Sequence, residues 1–177
     1  MVEAQTAAVR AYTGGGPVAL LGCSSGGWVA HAVAERLERL GEGPRVVVLL
    51  DTYLQDEMSP ETATALTEGL FERRGTQATE EDATSLAAMG ACFRVFEEWS
   101  PGAVQAPTLF LRARDELFGA PALGGSTDLV RSVPGDHFTM LEEHAEHAAQ
   151  AVHTWLAEAA EEPRPSPVTP KRSDRHV

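Results

Sequence analysis

The residues Gly22-Cys23-Ser24-Ser25-Gly26 follow directly on the apolar run Pro17–Leu21. A G-x-S-x-G pattern between a strand and a helix marks a nucleophile elbow, a turn so sharp that it pushes the serine hydroxyl out of the sheet. Such a hydroxyl attacks a carbonyl carbon only with a base in hydrogen-bond reach, and that base needs an orienting acid. His137, in the loop Val133-Pro134-Gly135-Asp136-His137, is the candidate base. It follows a strand-like run, and catalytic groups of parallel sheets gather at the carboxyl ends of strands. His31, His144, His147 and His153 fall in helical stretches, and His176 falls in the tail. Two acids compete. Asp51 comes immediately after an apolar strand ending at Leu50, whereas Asp115 comes after the strand-like Thr108–Arg112 and is followed by Glu116. Spacing alone leaves the two open, and the loser becomes a turn or capping residue.

Other chemistry-bearing groups carry less. His144-Ala145-Glu146-His147 lacks the gap of zinc-binding helices and lies beside Glu142 and Glu143, so a solvated surface is expected and no metal. Gly14-Gly15-Gly16-Pro17 has no following Gly-Lys-Ser or Gly-Lys-Thr and is not a phosphate loop. Cys23 and Cys92 make no disulfide framework, and Cys23 is expected to be buried as a small apolar residue. The aromatics Tyr53, Phe96, Trp99 and Phe138 are candidates for the wall of an apolar substrate channel, against the alternative of plain core.

These groups need a framework. The pattern predicts a helix over Val2–Tyr12, a strand over Val18–Gly22 and a helix from Ser25 to about Leu40 with Gly41 as its stop. Gly26 and Gly27 at the start of that helix imply close packing or a steep turn. Arg45–Leu50 reads as a strand covered on both faces, which completes a βαβ unit with a right-handed crossover. Strand-like runs recur at Pro107–Arg112 and Thr127–Val133. Between Asp51 and Pro107, helices are expected at Pro60–Arg74 and Glu80–Trp99, the first with Leu66 and Leu70 on one face and the second with Leu86, Met89, Phe93 and Phe96. A last helix, Met140–Ala160, is expected to lay Leu141, Ala148, Val152 and Trp155 or Leu156 on the sheet. The fold class is α/β, a mainly parallel sheet flanked by helices, with a helical insert at about 54–100. One domain over 1–162 precedes a Pro/Arg-rich tail, 163–177, whose composition cannot bury a core.

The net charge of −12 across 177 residues is unevenly spread, with the 163–177 tail basic and the rest acidic, and the lack of a basic stripe to neutralise phosphates argues against nucleic acid as a partner. No signal-peptide core or bilayer-spanning run is apparent, so no membrane partner and a cytoplasmic location are expected.

Taken together, these motifs resemble the C-terminal thioesterase domains of modular type I polyketide synthases, members of the α/β-hydrolase superfamily. The resemblance rests on Gly22–Ala30, on Val47-Val48-Leu49-Leu50-Asp51-Thr52-Tyr53, and on Val133-Pro134-Gly135-Asp136-His137-Phe138-Thr139-Met140, and it covers most of residues 5–160. It implies Asp51 rather than Asp115 as the acid, with Ser24 as nucleophile, His137 as base and the backbone N–H of Ser25 in the oxyanion hole. It further implies a polyketide delivered on the phosphopantetheine of an acyl carrier protein, released as a macrolactone or an acid, with no cofactor of the enzyme's own. The helical insert corresponds to the family's lid, and position 23 is often histidine there. Family members carry strands and helices ahead of the elbow strand that supply a second oxyanion donor and a homodimer contact. Such a segment is nearly absent here, so a partial fold with an exposed elbow strand is expected. A discrete editing thioesterase or general serine esterase is the alternative within enzymes. A noncatalytic fragment that needs a missing N-terminal segment is the alternative of another class.

Overall fold

The computed structural model describes residues 1–55, 58–74, 80–115 and 127–161. The expected tail, 163–177, and Glu116 lie outside the described residues. Helix α1 (Val2–Thr13) is closed by Gly14 in the left-handed conformation, φ 59°. Strand β1 (Ala19–Cys23) leads into helix α2 (Ser25–Arg39), and strand β2 (Val46–Leu50) follows. Helices α3 (Pro60–Arg74) and α4 (Glu80–Val95) precede strands β3 (Thr108–Ala113) and β4 (Leu129–Val133). A 3₁₀ turn, Thr139–Leu141, and helix α5 (Ala145–Glu161) complete the described chain.

The four strands form one parallel sheet in the order β1-β2-β3-β4. All of β2 is buried, because both faces of the sheet are covered. Val47, Leu49 and Phe110 pack with Trp28, Val33 and Leu37 of α2 on one face. Val48, Leu50, Leu109 and Leu111 pack with Met140, Ala148 and Trp155 of the C-terminal segment on the other. Helix α1 lies against α2, held by Arg36 to Glu3 at 2.9 Å and by a two-pronged Arg10–Glu42 pair at 2.6 and 2.8 Å. Among the described residues β1 is an edge of the sheet, and its Leu21 is 57% exposed.

The register decides where function can sit. Cys23 pairs with Leu50, Leu50 with Leu111, and Ala113 with Val133. The carboxyl ends of all four strands therefore reach one rim of the sheet, and the loops that leave that rim carry Ser24, Asp51, Asp115 and His137.

Two expected helices begin or end elsewhere. The last one starts at Ala145 instead of Met140, because Asp136 claims the chain ahead of it. Its Oδ1 accepts the backbone N–H groups of Phe138 (2.9 Å) and Thr139 (2.8 Å), which winds a short turn through Leu141. Leu141 accordingly lies off the sheet, 44% exposed. Helix α4 stops at Val95, not Trp99, and passes into a turn in which the Trp99 N–H donates to the Phe96 carbonyl at 3.1 Å. In the insert, Ser59 precedes Pro60 and its hydroxyl accepts the Thr62 N–H at 3.2 Å, an N-cap on α3.

Candidate active site

Ser24 stands between β1 and α2 with φ 52° and ψ −130°, a conformation that non-glycine residues seldom adopt. Its N–H donates to the Leu50 carbonyl at 2.9 Å, and its carbonyl accepts the Gly27 N–H at 2.9 Å. The turn is tight on both sides. A Cβ at Gly22 would press on the backbone of Gly26 and Gly27, and one at Gly27 would strike the Thr52 side chain, whereas the space beside Gly26 is open. Of the two glycines opening α2, Gly27 is the one required by close packing. The N–H of Ser25, in the first turn of α2, has no intrahelical acceptor and lies at the positive end of the helix dipole.

Asp51, directly after β2, also has a positive φ, 44°, and is 2% exposed. Its carboxylate is fully engaged. Oδ2 lies 2.8 Å from His137 Nδ1, while Oδ1 accepts the Tyr53 hydroxyl at 3.0 Å and the Ala113 N–H at 3.0 Å. With Nδ1–H directed at Asp51, the imidazole keeps Nε2 as its basic nitrogen. His137 is 7% exposed, and Phe138 stands edge-on to its ring at 5.2 Å between centroids. The loop holding His137 is itself stiffened by Asp136, which also accepts the Thr139 hydroxyl at 2.9 Å. Burial works to raise the Asp136 carboxyl's pKa, but these hydrogen bonds and the charge of Arg73 outweigh it and hold it below the ordinary value. Asp115 is exposed and donates its own N–H to the Gly135 carbonyl at 3.0 Å, so it serves the turn and Asp51 is the acid in contact with His137.

Ser24, Ser25 and His137 border one cavity of about 360 Å³. Among the described residues, its other walls come from Cys23, Met58, α3 (Ala63, Leu66, Thr67, Leu70), α4 (Met89, Phe93) and the segment Phe138, Leu141, Glu142. The Cys23 thiol is pushed up to about 11, first by burial and then by the Asp51 charge, so it is a neutral wall group beside the serine. One arginine ties the insert to the histidine loop. Arg73 of α3 bonds Glu142 at 3.2 Å and places its guanidinium 4.1 Å from the centre of the Phe138 ring. Gly69, one turn earlier on α3, leaves the room that Phe138 occupies.

A family model for the thioesterase domain matches residues 1–156. The chain belongs to the thioesterase-domain family. By family it is a hydrolase, and its α/β architecture agrees. It is 41% identical over 161 residues to polyketide synthase GfsE of Streptomyces halstedii, a match covering 87% of this chain and 4% of that protein. To erythronolide synthase EryA3 of Saccharopolyspora erythraea it is 36% identical over 161 residues, covering 86% of this chain and 5% of that protein. The chain thus spans a small fraction of the curated relatives it matches. Its fold is similar to the NocB thioesterase domain solved as a covalent complex with a fluorophosphonate nocardicin G analog. That comparison has a TM-score of 0.71 and 22% identity, over 88% of this chain and 74% of that one. The RedJ thioesterase of the prodiginine pathway in Streptomyces coelicolor aligns with a TM-score of 0.64 and 22% identity, covering 89% of this chain and 69% of that one.

Of the four aromatics expected along a channel, this thioesterase domain brings only Phe138 to the cavity. Tyr53 is buried against Phe110 (5.6 Å between centroids) and faces Asp51 through its hydroxyl. Phe96 and Trp99 pack on each other at 5.0 Å and border a separate hollow beside Trp28. Their corner is occupied by core: Trp28 donates its indole N–H to the Tyr53 carbonyl at 2.8 Å and lies 5.8 Å from Phe96. The residues that do face the cavity from α3 stand at i, i+3, i+4 and i+7, one face of a helix. That apolar face was the available signal. Arg73 carried no signal, because its partners lie far along the chain. Among the described residues no cluster of His, Cys, Asp and Glu is suited to a metal, and His144 stacks edge-on to His147 at 6.1 Å.

Proposed function

We propose that this thioesterase domain releases a polyketide chain from the phosphopantetheine thiol of an acyl carrier protein through an acyl-enzyme on Ser24. The observation that carries the reading is the Asp51–His137 contact at 2.8 Å on the rim of the cavity that Ser24 also borders. Its similarity to polyketide synthases supports the substrate class.

In the first half-reaction, His137 Nε2 takes the Ser24 proton as Oγ attacks the thioester carbonyl carbon. The tetrahedral oxyanion is stabilised by the Ser25 N–H at the start of α2. Collapse breaks the carbon–sulfur bond, and the imidazolium returns its proton to the departing thiolate. In the second half-reaction, His137 deprotonates a hydroxyl of the same chain or a water as it attacks the acyl carbon, and the imidazolium then returns that proton to Ser24 Oγ as the acyl–Oγ bond breaks, giving a macrolactone or a free acid. Asp51 holds the productive tautomer and balances the imidazolium charge without taking the proton. None of these steps draws on a cofactor.

The test is a fluorophosphonate probe read by intact mass, together with hydrolysis of an acyl-pantetheine thioester. Stoichiometric labelling and turnover, both lost in Ser24→Ala, are expected. Labelling elsewhere, or turnover that survives that substitution, overturns the assignment.

A further inference from the structure

The walls of the cavity say something about the acyl group itself. Building on the reading of Ser24 as nucleophile, we propose that the acyl segment held between the insert helices is hydrocarbon: alkyl or alkenyl carbons without hydroxyl substituents. Leu66 and Leu70 of α3, Met89 and Phe93 of α4, Met58 and Phe138 are buried or half-buried and present carbon and sulfur to the cavity. Ser24, Ser25 and His137 form its reacting end. Among the described residues, the two further polar side chains in the wall, Thr67 and Glu142, are exposed members of it. Thr67 donates its hydroxyl hydrogen to the Ala63 carbonyl at 2.8 Å, and Glu142 is held by Arg73 at 3.2 and 3.3 Å.

A substrate hydroxyl carried against these buried side chains would exchange water for carbon and sulfur surface. Leaving a hydroxyl unbonded in this way weakens binding by about 5- to 150-fold. A hydrocarbon segment instead gains contact with polarizable sulfur and aromatic edges, and the thioether side chains adapt to its shape. Cys23, neutral beside the serine, adds no charge to this end of the cavity. A volume of about 360 Å³ lies at the small end of ligand cavities, which leaves little room for a chain that enters with its hydration water.

The experiment separates this inference from the catalytic reading. Ser24→Ala protein is titrated calorimetrically with a non-hydrolysable decanoyl-pantetheine amide and with isomers bearing one hydroxyl at carbon three or carbon five. The unsubstituted chain is expected to bind at least about fivefold more tightly than either hydroxylated isomer. Leu70→Ser in the same background, which adds a hydroxyl to the wall, is expected to shrink that ratio. Equal or tighter binding of the hydroxylated chains, or no binding of any chain, overturns the proposal. Turnover of the corresponding thioesters by the wild-type protein is scored separately. A protein that hydrolyses thioesters through Ser24 but favours hydroxylated chains keeps the catalytic reading and loses this one.

Discussion

Tyr53→Phe probes whether Asp51 is held for catalysis by the groups around it. Tyr53 is 4% exposed, and its hydroxyl donates to Asp51 Oδ1 at 3.0 Å. Phenylalanine keeps the ring and its edge contact with Phe110, so the substitution removes one hydrogen bond and little packing. The acceptor is buried and shares Oδ1 with the Ala113 N–H at 3.0 Å, which remains. A hydrogen bond to a charged group contributes about 1.5–3 kcal/mol. In a chain of this size each kcal/mol shifts Tm by about 2–4 °C, so a fall of about 3–12 °C is expected by calorimetry. If half of the loss is expressed where Asp51 steadies the imidazolium, kcat for a pantetheine thioester falls about 3- to 13-fold. KM should stay within about twofold, because Tyr53 is not part of the cavity wall. A raised KM with unchanged kcat and Tm would refute the reasoning and make Tyr53 a substrate contact.

Asp51→Asn should lower kcat by about 10⁴, the scale seen when a triad acid loses control of the tautomer, while Asp115→Asn stays within about twofold. A larger loss in Asp115→Asn would reverse the assignment of the acid. Arg73→Ala removes the Glu142 bond and the contact with Phe138. KM should rise several-fold while Tm falls by no more than about 8 °C, since exposed ion pairs and cation–π contacts contribute up to about 1 kcal/mol each; Arg73→Lys, which lacks the planar face, should fall between. A Tm loss with unchanged KM would make the clamp purely structural. His31 is fully buried, and burial holds its pKa below the ordinary value although Glu35 and Glu38 pull it upward. The unfolded chain takes up that proton below pH ~6.5, so the associated stability is present above that pH and is lost as pH falls through it. His31→Gln should flatten the urea-midpoint profile between pH ~7 and ~5. An unaltered slope would remove His31 from the acid response.

Much of the rim was legible because it depends on local rules. A strand, a glycine-flanked serine and a helix make an elbow whatever surrounds them. Asp51 and His137 each follow an apolar run whose end must meet the same rim once the strands run parallel. What stayed hidden depends on partners distant in sequence. Phe96 and Trp99 have the same helix-face character as Met89 and Phe93, and periodicity reports an apolar face without saying what it meets. Trp28 fills the corner they point to. The late start of α5 turns on the carboxylate of Asp136 capturing two backbone N–H groups, a local competition that hydrophobic spacing does not register. The spacing that left Asp51 and Asp115 open could not foresee the Ala113 N–H, which comes from a third strand.

The left-handed backbone of Ser24 and Asp51 sets durability against reactivity. Each such conformation in a residue with a side chain costs about 1–3 kcal/mol. Both lie at the ends of adjacent strands, joined where the Ser24 N–H meets the Leu50 carbonyl. Ser24→Gly should therefore melt higher than the native protein while doing no chemistry. A screen for thermostability alone would select first against the two residues on which the proposed reaction depends.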